Sequence, residues 1–175
     1  MVNNNVSEEV FNHFMNITVP ELESIIEVAT ENPIILPPNQ WGFLLDAVKS
    51  NANDLDPEKY YGLHKSAVTV LKKGPLRTST LETILKLSGE RQDTEVFSSH
   101  FEILVNERTA DYALGLDLPD SMLMSAIPDI ALTKPKDIGR LINFIVSREN
   151  SNTEAWQRTG VEFYNTLEIL SPEHA

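Results

Sequence analysis

One stretch, residues 134–146, constrains the fold more than any other part of the chain. Its apolar residues recur at i, i+3, i+4, i+7 and i+8, the spacing that lines one face of an α-helix: Ile138, Leu141, Ile142, Ile145 and Val146. Thr133 can cap the start of this helix, and Pro135 stands in its first turn, where a missing N–H costs nothing. We therefore expect this segment to be the central helix of a packed core.

Helix start and stop signals recur along the rest of the chain. A Ser or Thr followed three residues later by Glu, the capping-box pattern, stands before several apolar clusters, and Pro or Gly follows most of them. The predicted helix starts are Thr18, Asn39, Asp56, Ser79, Thr94, Asp117, Thr133 and Ser151. No segment alternates apolar and polar residues as a half-buried strand would. The pattern predicts an all-α protein with about eight to ten short helices.

Two arrangements of these helices are compatible with the spacing. Every second predicted start recurs at intervals of about 38 residues, a period found in arrays of stacked helical hairpins. The residues within the repeat units so defined do not match one another, however, and helices of ordinary length give the same spacing. We favour a compact multi-helix bundle, with α-solenoid-like stacking as the alternative. Residues 1–170 are expected to form a single domain, and residues 171–175 a disordered tail.

The charge balance and the absence of cysteine limit the function classes. With 26 Asp and Glu against 14 Lys and Arg, the formal net charge is −12, which repels phosphate backbones and anionic lipid headgroups. Direct binding of nucleic acid or of a membrane is therefore not expected, whereas a basic protein surface is a suitable partner. The absence of cysteine excludes disulfides, thiolate metal sites and thiol nucleophiles.

No part of the sequence resembles a targeting signal or a membrane span. The first ten residues lack the basic start and apolar block of a signal peptide, and no apolar run approaches the roughly 20 residues that a bilayer requires. We expect a cytoplasmic protein, with the mature form of an organellar protein as the alternative.

The residues that carry catalysis or bind cofactors in other proteins do not form recognisable motifs here. None of the four histidines lies at helical spacing from another, so no paired imidazole site is expected. Residues 51–56 are acidic, but they fail the EF-hand pattern and are typical of a turn and a helix cap. The glycines are too scattered for a phosphate-binding loop. Neither a cofactor nor a metal is predicted.

The segment 32–38 is the first that does not have a helical pattern. Three prolines enclose Ile34, Ile35 and Leu36, so we expect an extended backbone with these side chains in the core. The alternative is an exposed apolar contact surface for a partner. In that case Ile34, Leu36 and Trp41 are the candidate partner-binding residues.

These observations favour a non-enzymatic helical module that binds another protein, as an adaptor, an assembly subunit or a regulator. One alternative is an enzyme whose carboxylate or histidine site is assembled from scattered residues. Another is an acidic mimic of nucleic acid, which would need its acids clustered on one face. The sequence leaves the oligomeric state open.

Overall fold

The structure is a computed structural model, and it describes residues 9, 12–14, 16–133, 138–149, 158, 161 and 165. All regular secondary structure in these ranges is helical, which confirms the prediction of an all-α bundle. The helices with continuous bounds are α1 (Val19–Glu31), α2 (Pro38–Ser50), α3 (Pro57–Val70), α4 (Pro75–Arg91), α5 (Thr94–Glu107), α6 (Ala110–Leu114), α7 (Asp120–Thr133) and α8 (Ile138–Glu149). A single 3-10 turn, Pro33–Ile35, separates α1 from α2.

Two of the predicted helix starts coincide with observed N-caps. The backbone N–H and the hydroxyl of Thr18 both donate to the Glu21 carboxylate, at 3.0 and 2.6 Å, and α1 begins at the next residue. The carboxylate of Asp56 accepts from the N–H groups of Glu58 and Lys59, at 2.7 and 3.3 Å, at the start of α3. Both caps satisfy N–H groups that have no partner within the helix.

Two other predicted starts, Asn39 and Ser79, are wrong by a few residues, whereas the predicted start at Thr94 is confirmed because α5 begins there. Helices α2 and α4 begin at Pro38 and Pro75, because proline has a helical φ already and needs no N–H partner in a first turn. Asn39 consequently lies inside the first turn of α2. Ser79 lies inside α4, where its hydroxyl donates to the Leu76 carbonyl at 2.9 Å. The cap of α5 is Asp93, one residue before Thr94.

Helix α4 is also longer than predicted, since it continues through Gly89 to Arg91. Gly89 is buried, and a Cβ atom built on it would lie 2.9 Å from Cγ of Pro119. This glycine therefore permits a close approach between α4 and the residue before α7, and it does not end the helix. The helix start predicted at Asp117 is also misplaced, because α7 begins at Asp120.

The backbone contacts divide the chain into two compact units, 1–84 and 85–175, whose boundary lies within α4. In the first unit α1 and α2 both pack against α3, and the 3-10 turn contacts α1 and α3. The side chains at the centre of this core have no exposed surface or almost none: Leu22, Ile26, Trp41, Leu44 and Leu63.

In the second unit α5 packs against α6 and α7, and the rings of Phe97 and Phe101 stack with their centroids 5.7 Å apart. Helix α8 packs against α6 and α7, and Leu141 is fully buried. The helix predicted over residues 134–146 is thus confirmed from Ile138 onward. The prediction that it is central to one core is wrong, because the first unit builds its core without it. Residues 134–137, the Ser151 cap and the tail lie outside the described residues.

Candidate functional site

The proline-flanked segment adopts a turn, contrary to the extended backbone expected from its sequence. The N–H of Ile35 donates to the Asn32 carbonyl at 3.0 Å, which closes the 3-10 turn Pro33–Ile35. Ile34 is 83% exposed and Ile35 is 52% exposed. Leu36 is partly buried and packs against the core. The expectation that all three side chains enter the core is wrong, because successive residues of a tight turn point in different directions.

Trp41 is fully buried, so its predicted place on an exposed contact surface is wrong. Its indole N–H donates to the carbonyl of Pro33 at 3.2 Å. The buried indole therefore anchors the 3-10 turn to the core through this hydrogen bond. Trp41 contributes to the surface by positioning the residues of the turn, Pro33–Ile35. Burial of so large a ring is the expected use of a tryptophan whose N–H can reach an acceptor.

A groove of about 380 Å³ lies between α1 and the turn. Its lining residues are Phe14, Ser24, Ile25, Val28, Ala29, Ile35 and Leu36. Ser24 is the polar member of this set, and its hydroxyl already donates to the Pro20 carbonyl at 3.0 Å. Val28 is 49% exposed on one side of the groove, and Ile35 is exposed on the other. We call this feature, together with the protruding Ile34, the apolar groove.

The four glutamates of α1 fall into two groups with different surroundings. Glu23 and Glu27 face α3, where both bind the ammonium of Lys59, at 3.0 and 2.7 Å. The hydrogen bonds from Lys59 and from the Asp56 N–H lower the pKa of Glu23. Hydrogen bonds to Glu27 and Glu23 raise the pKa of Lys59. This group connects α1 to α3, and Lys59 offsets one of its two negative charges.

Glu21 and Glu31 belong to the other group, which borders the apolar groove. Glu21 stands one turn before Ile25, and Glu31 stands three residues after Val28, so both lie beside the lining residues on the helix surface. Both are exposed, and Glu31 has no ion pair in the described part of the chain. The hydrogen bonds from Thr18 lower the pKa of Glu21. The rim of the groove is therefore acidic.

The histidines on α3 and α5 both direct Nδ1 at a main-chain carbonyl of their own helix. His64 is buried, and its Nδ1 donates to the Tyr60 carbonyl at 2.8 Å. Burial lowers its pKa. Nδ1 of His100 lies 2.7 Å from the Val96 carbonyl, so it donates there and cannot take a proton from the neighbouring Ser99. Among the described residues no group of three or more His, Asp or Glu side chains could hold a metal ion.

Two charged segments contain residues with structural roles: the acidic loop of residues 51–56, and a basic cluster formed by Lys72, Lys73 and Arg77. In residues 51–56 the Asn51 amide donates to the Ala47 carbonyl at 2.8 Å, and Asp56 caps α3. In the basic cluster Arg77 donates from Nη1 to the carbonyls of Val68 and Leu71, at the end of α3. These contacts satisfy carbonyls that a helix end leaves without partners.

The sequence pointed to part of this site and missed the rest. Ile34 and Leu36 were candidates, and both belong to the apolar groove or its edge. Phe14, Ile25 and Val28, which also line the groove, were not among the candidate partner-binding residues. The available signal was that α1 carries more apolar residues than its core stripe of Leu22, Ile26 and Ala29 uses.

The fold and the groove define an all-α protein with an exposed apolar groove bordered by acidic side chains. None of the described helices combines the length and the apolar character needed to cross a membrane. No protein-family model matches this chain, and comparison with curated proteins and with solved structures gives no match either.

Proposed function

We propose that this protein is a non-enzymatic protein-binding module, acting as an adaptor, an assembly subunit or a regulator, and that the apolar groove is its binding surface. The observation that carries the proposal is that the exposed aliphatic side chains Val28 and Ile35 line one groove, with the exposed Ile34 on the same turn as Ile35. Single exposed apolar residues are ordinary, but a group of them around a concave apolar surface is typical of interaction sites.

The rigidity of the groove walls supports the same proposal. The Trp41 indole holds the turn through Pro33, and the Lys59 ion pairs connect α1 to α3. A surface that is already ordered loses little conformational entropy when a partner binds, so more of the contact energy appears as affinity. The walls of the groove are thus preorganised for binding.

The composition supports a cytoplasmic location and a basic partner, as proposed from the sequence. The alternatives, an enzyme with a scattered carboxylate or histidine site and an acidic nucleic-acid mimic, have weaker support. His64 and His100 each direct Nδ1 at a main-chain carbonyl, which occupies the nitrogen with a structural bond. On α1, Glu23 and Glu27 are paired with Lys59, so this helix does not present a continuous acidic face.

The test is capture of partners from the native extract with the purified protein and with the double variant Ile34→Ser/Ile35→Ser. Both side chains are exposed, so we expect the variant to keep its helical circular dichroism spectrum. We expect one stoichiometric partner with the wild-type protein and at least tenfold less of it with the variant.

Tyr112→Ser is the matched control, because Tyr112 is also an exposed large side chain but lies on α6 in the second unit. It should capture as much partner as the wild-type protein does. If Ile34→Ser/Ile35→Ser captured as much partner as the wild-type protein, the binding surface would lie elsewhere. The same would follow if only Tyr112→Ser lost the partner.

A further inference from the structure

We propose that the groove binds a short amphipathic helix of a partner protein whose apolar stripe is flanked by Lys or Arg. This inference rests on the proposed function, since it names the chemistry of the partner for the same groove. It follows from three properties of the site. These are the shortage of free backbone N–H groups, the shape of the apolar lining and the charge of the rim.

The first property concerns the backbone of segment 32–38. An extended peptide usually binds by adding a strand, which requires a row of free N–H and C=O groups. Pro33, Pro37 and Pro38 have no N–H, and the N–H of Ile35 is bonded within the turn. The other wall of the groove is α1, whose backbone groups are bonded within the helix. The segment therefore lacks the continuous row of N–H donors that strand addition uses, which favours recognition of a partner through its side chains.

The second property is the shape and chemistry of the lining. The walls are an α-helix on one side and a 3-10 turn on the other, and Ser24, Ile25 and Val28 present one turn of α1 to the groove. A helix in the partner would present apolar residues at i, i+3 and i+4 on one face. Side chains at this spacing can pack between the side chains that α1 presents to the groove. A specific small-molecule site would also need convergent polar groups to orient its ligand. Among the lining residues that the structure describes, Ser24 is the polar one, and its hydroxyl donates to the Pro20 carbonyl.

The third property is the charge of the rim. Glu21 and Glu31 border the groove, and the whole chain carries a formal charge of −12. A second copy of this chain would bring the same carboxylates against these, within the distance of about 10 Å over which charges act at ordinary salt. An anionic membrane surface would be repelled in the same way. Lys or Arg beside the apolar stripe of the partner would instead complement the rim.

The probe for this inference is a displayed library of helical peptides of about 16 residues, long enough to form a helix on binding. Leucines are fixed at i, i+4 and i+7, and the flanking positions are randomised. The library is selected on the wild-type protein after removal of peptides that bind the Ile34→Ser/Ile35→Ser variant. We expect selected peptides to be enriched in Lys and Arg at the flanks and depleted in Asp and Glu.

The best selected peptide is then measured by fluorescence anisotropy against two charge variants. Glu21→Gln/Glu31→Gln should weaken binding by about fivefold at low salt, because each exposed charge pair contributes a few tenths of a kcal/mol to about 1 kcal/mol. Glu90→Gln/Glu95→Gln removes the same charge from exposed positions of the second unit and should change affinity by less than about twofold.

Selection of neutral or acidic flanks, or no enrichment over the counter-selected pool, would overturn the inference. Sedimentation equilibrium tests the second copy as occupant, and a dimer that Ile34→Ser/Ile35→Ser abolishes would also overturn it. The peptide selection and the sedimentation experiment test the chemistry of the partner, whereas native capture tests the proposed function. Native partner capture that still depends on Ile34 and Ile35 would leave the groove as the binding surface with a partner of other chemistry.

Discussion

At the scale of single residues, Trp41 links the core to the candidate binding surface. Its ring is buried in the first unit and its N–H holds the Pro33 carbonyl. We predict that Trp41→Phe lowers the free energy of unfolding by about 2–3 kcal/mol, from a lost hydrogen bond and a small cavity. Urea unfolding followed by circular dichroism measures this change.

Ile34→Ser is the control for Trp41→Phe, because it alters the same surface at an 83% exposed position. It should change the free energy of unfolding by less than about 0.5 kcal/mol. A Trp41→Phe variant as stable as Ile34→Ser would show that the indole does not hold the turn.

His64 makes stability depend on pH in a defined window. Burial lowers its pKa in the folded state, although the bond to the Tyr60 carbonyl partly opposes this shift. The unfolded chain, with a histidine pKa of about 6.5, then binds more protons than the folded chain below that pH. The contribution is fully present above about pH 6.5 and is lost as the pH falls through the window below it.

We therefore predict that the free energy of unfolding decreases from about pH 7 to about pH 5.5, and that this slope flattens in His64→Gln. Urea titrations at several pH values measure the slope, which is independent of any constant loss of stability in the variant. The pKa values of Glu21 and Glu23 are lowered by hydrogen bonds, so their contributions are lost at lower pH, below about 4.5. An unchanged slope in His64→Gln would contradict the assignment.

At the scale of elements, the contact between α4 and Pro119 depends on a glycine inside a helix. Alanine at position 89 would gain helix propensity, but its Cβ would lie 2.9 Å from Cγ and 3.0 Å from Cδ of a rigid proline ring. We predict that Gly89→Ala lowers the free energy of unfolding by about 1–3 kcal/mol.

Gly62→Ala in α3 is the matched control for Gly89→Ala, because its Cβ would meet only the Thr30 methyl, at 3.6 Å. We expect this variant to gain about 0.5–1 kcal/mol from helix propensity. Urea unfolding of the two variants side by side gives the comparison. Gains in both would show that α4 moves away from Pro119 without cost.

Helix starts show which elements a sequence can define and which it cannot. Thr18 and Asp56 were predicted because their side chains bond to N–H groups within three residues, a contact that local sequence determines. Asn39 and Ser79 were misplaced because a proline shortly before each had already started the helix. Gly89 was taken as a helix end because the sequence does not show Pro119 beside it.

The binding surface was harder to predict than the helices. Exposure of Ile34 follows from the turn geometry of Pro33–Ile35, and burial of Trp41 follows from a hydrogen bond across eight residues. The exposure of Ile34 and the burial of Trp41 are not determined by hydrophobicity alone. Because both side chains are apolar, the sequence did not distinguish them. Val28 joins the groove only because the turn folds back beside α1, a tertiary contact.

At the scale of the whole molecule, α4 belongs to both compact units, whose boundary lies between Ile84 and Leu85. Both of these side chains are fully buried, in the middle of an uninterrupted helix. A flexible linker, the usual boundary between independent domains, is therefore not present at this position.

We predict that heating unfolds the chain in one cooperative transition, with equal calorimetric and van't Hoff enthalpies, as a single domain requires. Differential scanning calorimetry measures both quantities. Two separated transitions would instead show that the units unfold independently and that the single-domain prediction for residues 1–170 is wrong.

The prolines beside the apolar groove have a further consequence, for solubility. In the apolar run of Ile34, Ile35 and Leu36 the first two side chains are exposed, and exposed apolar residues favour amyloid-like stacking when their backbone is free to pair with other chains. Pro33, Pro37 and Pro38 act as gatekeepers, because a stacked strand needs an N–H at every position. This surface therefore offers other chains fewer backbone donors for strand pairing than an apolar run without prolines would.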